Sequence, residues 1–197
     1  CYGAPEPEEV KTRRTEKQME ISMPAFAIGF RCPDAGRGLE AMRTEFIGDL
    51  AGEILIGESS PLYQKLYDEN VIDADFSVGY EHMKGMALLA LTGDSEEIDR
   101  ILQEVLQEAR RVNETGVDRT LLARLKKSAM GRRLRDLDGF EGTCYRMCAY
   151  YFDGAEYLDY PDAFSSVTAE DVEQFIRENV KEDRAFVSVI LPRDAKE

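Results

Sequence analysis

A chain of 197 residues with 43% hydrophobic content can bury one sizeable core and is too apolar to be disordered over most of its length. Its 25 Lys and Arg against 39 Asp and Glu leave a formal net charge of -14, a surface that as a whole repels nucleic acid and anionic membrane. No apolar run approaches the roughly 18 residues of a membrane helix, no basic and then apolar leader opens the chain, and four cysteines are too few for a disulfide framework, so a cytoplasmic protein with free thiols is expected.

Residues 1–15 carry Pro5, Pro7 and a cluster of charges with few apolar side chains, which predicts a linker or arm, and its position at the start predicts an upstream domain. One domain is expected over 16–197. Met19, Ile21 and Met23 alternate, Pro24 interrupts, and Phe26, Ile28 and Phe30 resume on shifted parity, predicting one long strand with a bulge or edge position at the proline. From Leu39 to Ile56 apolar residues recur at helical spacing and Gly57 supplies a stop. Ser60 and Pro61 then restart a short helix as N-cap and first residue, with Leu62, Tyr63 and Leu66 on one face.

Ile72, Ala74, Phe76, Val78 and Tyr80 alternate as a strand, and Met86 to Thr92 forms its hairpin partner across Lys84 and Gly85. Asp94 or Ser95 is expected to cap a helix with an inward stripe of Ile98, Ile101, Leu102, Val105, Leu106 and Ala109, ended by Gly116. Further helices are expected over Val117 to Leu137, over Thr143 to Phe152, and from Thr168 with Val172, Phe175, Ile176 and Val180 inward. The last strand is Phe186 to Leu191. Hairpin strands with helices inserted in pairs predict an α+β domain, a mostly antiparallel sheet with helices packed on one face. A dinucleotide-binding fold is excluded by the absence of βα alternation and of any glycine-rich phosphate motif.

Few residues announce chemistry. Cys144 and Cys148 lie one helical turn apart, but a structural zinc site needs two more ligands, so they read as buried, hydrophobe-like cysteines. His82 is the single histidine and reads as a surface turn residue. The basic run Arg119, Arg124, Lys126, Lys127, Arg132, Arg133 and Arg135 lacks the interleaved aromatics of a nucleic-acid platform and reads as a solvated or domain-docking face. Of Tyr145, Tyr150, Tyr151, Phe152, Tyr157 and Tyr160, about half are expected in the core, the rest offering contact area for a peptide. No carboxylate pair stands out as an acid/base dyad, and a nucleophilic triad has neither a second histidine nor a Gly-x-Ser-x-Gly elbow.

The segment Ser59-Ser60-Pro61-Leu62-Tyr63-Gln64-Lys65-Leu66-Tyr67-Asp68-Glu69, the helix-pair spacing through Gly116, and Thr168-Ala169-Glu170-Asp171-Val172 before the last strand together resemble the C-terminal half of a pitrilysin/insulinase-type zinc metallopeptidase, the family of the mitochondrial processing peptidase. The resemblance covers about residues 17 to 192. It implies paired homologous halves enclosing a chamber, with zinc held in the N-terminal half by an inverted His-x-x-Glu-His motif. One histidine cannot supply that site, so no cofactor is expected in this chain and zinc is expected in the other half.

The resemblance further implies an Arg and a Tyr that hold the substrate peptide. The matching substrate-binding positions are Tyr67 and Ala74, with Phe76 beside them, so the Arg/Tyr pair is absent and a non-catalytic role follows. The implied partners are the N-terminal half of the same polypeptide, a homologous second chain and a peptide substrate, with neither nucleic acid nor membrane. The alternative is a structural or assembly subunit without proteolytic activity, like the family's relatives in a respiratory complex.

Overall fold

Two segments that alternate with apolar residues before Cys32 turn out to lie on opposite sides of the chain's last strand. The computed structural model describes residues 9–83 and 85–193. In it β1 (Arg14–Met19) and β2 (Ala25–Cys32) are separate strands, and β5 (Ala185–Pro192) slots between them, parallel to β1 and antiparallel to β2. The expected single bulged strand is therefore corrected. A strand has two edges, and one continuous segment cannot pair with both edges of β5, so the chain reverses between Met19 and Ala25. The alternation of Met19 and Met23 was no burial signal, since both are exposed.

β2 continues the sheet to β4 (Met86–Asp94), which pairs with β3 (Ser77–Met83), giving the antiparallel order β5-β2-β4-β3 with β1 added in parallel at one edge. β3 starts five residues later than Ile72. Residues 71–76 instead form a turn in which Val71 N–H bonds to Leu66 O and Asp73 Oδ1 accepts from Asp75 N–H, yet Ile72 and Phe76 are buried under it. Gly85, with φ of 82°, takes the left-handed position of the β3–β4 turn. Lys84 lies outside the described residues, as do 1–8 of the expected linker, and Arg14 and Thr15 at the linker's end belong to β1.

The helices form as their signals predict at several ends. α1 (Leu39–Ile56) stops at Gly57, and α2 (Pro61–Asp68) is capped by Ser60, whose Oγ accepts from Tyr63 N–H at 3.1 Å. α3 (Ile98–Thr115) buries Ile98, Ile101, Val105, Leu106 and Ala109 and ends at Gly116. Neither Asp94 nor Ser95 caps it. The buried Ser95 hydroxyl donates to Val71 O at 2.6 Å and so ties the strand end to the 71–76 turn.

α4 (Arg119–Asp136) is capped by Asp118, and α5 (Phe140–Asp153) is a turn longer than expected. A 3-10 turn (Tyr157–Asp159) and α6 (Tyr160–Ser165) follow, beyond the helices that the apolar spacing predicts. α7 (Ala169–Asn179) begins with a capping box between Thr168 and Asp171 and buries Val172, Phe175 and Ile176.

One face of the sheet carries the core. Phe26, Ile28 and Phe30 of β2, Ala87, Leu89 and Leu91 of β4, and Ala185, Val187 and Val189 of β5 are all buried and meet α1, α3 and α7. α1 approaches β3 closely because Gly48 and Gly52 face Tyr80 and Val78: an added Cβ would lie 2.5 Å and 2.8 Å from those side chains. The alternate residues point the other way. Leu88, Ala90, Phe186 and Ile190 are only partly buried although their strands are central, so no helix among the described residues covers this second face. Phe186 lies opposite Gly29 in the register and occupies the space of the missing side chain, where a Cβ would meet the ring at 2.2 Å.

Candidate functional site

Three carboxylates on α1, Glu45, Asp49 and Glu53, recur every fourth residue and therefore share one face of a largely apolar helix. That face meets the basic face of α4. Arg133 reaches Glu45 at 2.9 Å and Arg132 reaches Glu53 at 3.7 Å, while the Arg133 guanidinium sits 5.4 Å above the Phe46 ring. Lys126 donates to Val167 O at 2.6 Å and Arg119 to Glu170 at 2.7 Å, so the basic run docks α4 onto α1 and onto the α6–α7 region. Four residues apart is a helix-face signal, and it was available in the sequence, but no single pair in the acidic background marked it.

Glu45 is the hub of this layer. Besides Arg133, which donates to Oε1, it accepts the Tyr150 hydroxyl of α5 on Oε2 at 2.9 Å, and His82 Nε2 lies 3.6 Å from the same Oε2. Burial alone would raise the Glu45 carboxyl. The close approach of His82, the charge of Arg133 and the Tyr150 hydroxyl outweigh it and hold the group below its usual range. His82 is pushed up in turn by its contact with Glu45, against burial. It is a half-buried strand residue facing α1, not a surface turn residue, because β3 runs through Met83 and presents even-numbered side chains to the helices.

Asp49 lies between the two ion pairs and accepts Tyr80 N–H of the edge strand at 2.9 Å. Its carboxyl is pushed up to about 6, chiefly by burial. Beside it a cavity of about 520 Å³ separates α4 from α1 and α6, floored by Phe46, Leu50, Val78 and Phe164 and rimmed by Asp49, Glu53 and the arginines of α4. A second hollow of about 440 Å³ shares Glu53, Val78, Leu125 and Arg132 with it and runs on past Glu58, Ser59, Tyr63 and Phe76. The two make one groove along α1 and β3. Its apolar floor and charged rim suit an amphipathic segment, and burial raises both of its α1 carboxyls, Asp49 and Glu53.

Of the family-carried positions Tyr67, Ala74 and Phe76, it is Phe76 that lines the far end of that groove. Tyr67, half exposed on the last turn of α2, stacks on Tyr63 with ring centroids 5.9 Å apart, and Tyr63 meets the buried Phe76 at 6.0 Å. The structure thus links Tyr67 to Phe76 through Tyr63, whereas Ala74 is exposed in the 71–76 turn. Phe76 is a packing residue, closed off further by Phe26 at 6.4 Å.

Cys144 and Cys148 are both exposed on α5, which corrects the expectation that they are buried, while Cys32 is buried and its thiol pushed up to about 11 by desolvation. Among the described residues no three His, Cys, Asp or Glu side chains gather as a metal would require, and the one histidine is committed to Glu45. These residues do not fit a zinc site. Of the tyrosine-rich stretch, Tyr157 and Tyr160 are buried, Tyr150 partly so, and Tyr145, Tyr151 and Phe152 are exposed. No helix among the described residues is long and apolar enough to cross a membrane.

Comparison with known proteins bears on all of these features. Residues 2–129 match the family described as the peptidase M16 inactive domain. The chain is 28% identical over 190 residues to the "uncharacterized zinc protease YmfH" of Bacillus subtilis (strain 168), covering 95% of this chain and 44% of that protein. An M16-like peptidase structure from Alicyclobacillus acidocaldarius superposes with a TM-score of 0.88 at 24% identity, over 95% of this chain and 45% of the other. The structure described as the inactive peptidase domain of a zinc protease from Bordetella parapertussis gives 0.72 at 15% identity, over 91% of this chain and 96% of that one. The chain therefore spans less than half of its curated relative and nearly all of a domain solved by itself.

Proposed function

The chain belongs to the peptidase M16 inactive-domain family, and from that premise we propose that it is the non-catalytic wall of a peptide chamber, in a longer polypeptide whose other half carries zinc. The observation that carries this reading is the second face of the sheet. Leu88, Ala90, Phe186 and Ile190 stand only partly buried on central strands with no helix of the described residues over them, which leaves a mildly apolar surface on a domain whose other face carries the core. An extended peptide lies well on such a surface, where excluded water strengthens each contact and a fixed wall orients the scissile bond toward chemistry supplied elsewhere. The described residues' lack of a metal-binding set fits that division of labour.

In this reading Tyr67, on the helical side, takes no part in bond cleavage, and the protein works in the cytoplasm. The net charge of -14 favours basic peptides, in a manner that salt weakens. The test uses both forms of the protein. The 197-residue chain should hydrolyse no member of a peptide library with or without zinc. In the longer polypeptide Phe186→Asp should raise KM for peptide while zinc content stays unchanged. Zinc-dependent cleavage by the 197-residue chain alone would overturn the reading, and so would an unaltered KM in the variant.

A further inference from the structure

Helix α5 is turned inside out. At about 100° per residue, Thr143, Arg146, Tyr150 and Asp153 share the side that meets the domain, where Arg146 pairs with Asp136 at 2.6 Å and Tyr150 with Glu45. The outward side carries Phe140, Cys144, Met147, Cys148 and Tyr151, flanked by Tyr145 and Phe152, over an arc of roughly 160°. Phe140 is 84% exposed, Phe152 77%, Tyr145 75% and Tyr151 73%. A surface helix ordinarily turns its apolar stripe to the core. Here the polar side is fixed inward by named partners and the apolar side is presented to whatever lies outside.

We propose that a second copy of this chain covers that arc, the two α5 helices packing antiparallel about a two-fold axis that passes opposite Arg146. The sequence of the arc is self-complementary about that residue. With Arg146 as the centre, Phe140 faces Phe152 of the other copy, Cys144 faces Cys148, Tyr145 faces Met147, and Glu141, the charge within the arc, faces the Tyr151 hydroxyl. Cys144 and Cys148 flank the midline of the arc, so the small residues stand where the helices come closest and the aromatic ones at the ends.

The area is sufficient. Four aromatic side chains of about 150–250 Å² each, three-quarters exposed, supply roughly 450–750 Å² of largely apolar surface per copy, close to the ~800 Å² per partner of a standard interface. The seam carries one carboxylate per copy, Glu141, set to accept from the facing Tyr151 hydroxyl, so little charge is brought into contact between two bodies that each carry -14. Their like charges make the association stronger as salt is added, the reverse of a charge-driven partner. The surface lies on the helical side of the molecule, away from the open sheet face, so its fate and that of the chamber-wall reading are independent.

Two helices about 8–10 Å apart place facing Cα atoms at roughly 4–5 Å, within or just below the range a disulfide spans. In a Cys1→Ser background, mild oxidation should therefore yield a covalent dimer in which mass spectrometry finds Cys144 joined to Cys148. Cys144→Ser and Cys148→Ser should each abolish it. Sedimentation equilibrium of the reduced chain should show a dimer whose Kd falls with added salt, and Phe152→Asp should raise that Kd roughly 100-fold with unchanged circular dichroism and Tm, since the ring is exposed in the single copy. A chain that stays monomeric at about 100 μM, a range covering ordinary specific pairs, would overturn the proposal. So would Cys144–Cys144 cross-links, or a longer polypeptide that is monomeric yet shields both thiols from maleimide, which would mean that its own remaining length covers α5.

Discussion

Gly48→Ala and Gly131→Ala are the same substitution in the interiors of two 18-residue helices, α1 and α4, and should change stability in opposite directions. Alanine is favoured over glycine in a helix interior by about 0.8–1.0 kcal/mol. At Gly131 nothing lies within 4 Å of the added Cβ, so that gain stands. At Gly48 the new atom would lie 2.5 Å from the Tyr80 ring, which is itself backed by Phe175 in an edge-on contact at 5.7 Å and has no room to retreat. Overpacking of this kind costs typically 1–3 kcal/mol or more, and with the two nearest ring atoms so close the upper end applies, leaving a net loss of about 1–2 kcal/mol. At about 2–4 °C per kcal/mol for a chain of this size, Gly48→Ala should lower Tm by about 3–6 °C and Gly131→Ala should raise it by about 2–3 °C. Scanning calorimetry and urea unfolding read both. A Gly48→Ala protein as stable as Gly131→Ala would mean that α1 does not close on β3, and the register that sets Glu45, Asp49 and Glu53 beneath α4 would be wrong.

Asp49→Asn keeps an acceptor for Tyr80 N–H and removes the burden of a buried carboxylate. Asp49's folded value is raised to about 6, so the native state holds the proton more firmly than the unfolded chain, and wild-type stability falls as pH rises from the ordinary aspartate value to about 6. The advantage of the asparagine variant should grow over that window to about 2–3 kcal/mol and then level off, as urea midpoints at several pH values would reveal; a constant difference would refute it. Glu45→Ala strips the partner from the largely buried Arg133 and frees α5, and should cost about 3 kcal/mol with early proteolysis around Gly139 and Gly154. The His82–Glu45 contact carries its own pH signature. His82 is raised, so its contribution is complete below about 6.5 and fades as pH climbs through the folded value, a decline that His82→Asn should lack. Ser60→Ala removes the cap of α2 and should cost about 1 kcal/mol by the same unfolding assay, and no change would mean the cap is idle.

α1, α2, α3 and α7 were legible because their signals are local: apolar residues at helical spacing, Ser60 and Thr168 as caps, Gly57 and Gly116 as stops. What failed was non-local. Nothing between Met19 and Phe30 can report that a strand 160 residues later separates β1 from β2. Alternation from Ile72 to Tyr80 reads as one strand, yet its first half is a turn whose apolar residues are buried by α2 packing and by the Ser95 hydroxyl, not by the sheet. His82 looks terminal in sequence and becomes central once Glu45 folds over it. The candidate groove was half visible, since the arginines of α4 stood out whereas the carboxylates of α1 that receive them were lost among 39 acidic residues.

The exposed α5 arc and the partly buried carboxylates of α1 have one cause. Apolar periodicity tells which side of a helix avoids water, and from sequence alone the core is taken as the place it goes. On α5 the inward side is decided instead by Tyr150 and Arg146, whose partners Glu45 and Asp136 lie on α1 and α4. Glu45 is largely buried with Arg133, and leaving it short of donors would cost more than leaving four aromatic rings in water that a partner can later displace. The charged layer therefore fixes α5's rotation, and the rotation sends the apolar arc outward. Weakening the layer should turn the helix or detach it, so Glu45→Ala, which touches no residue of the arc, should also abolish the Cys144–Cys148 cross-link. Cross-linking that survives Glu45→Ala would separate the two features and show that the arc is presented by something other than the Glu45 hub.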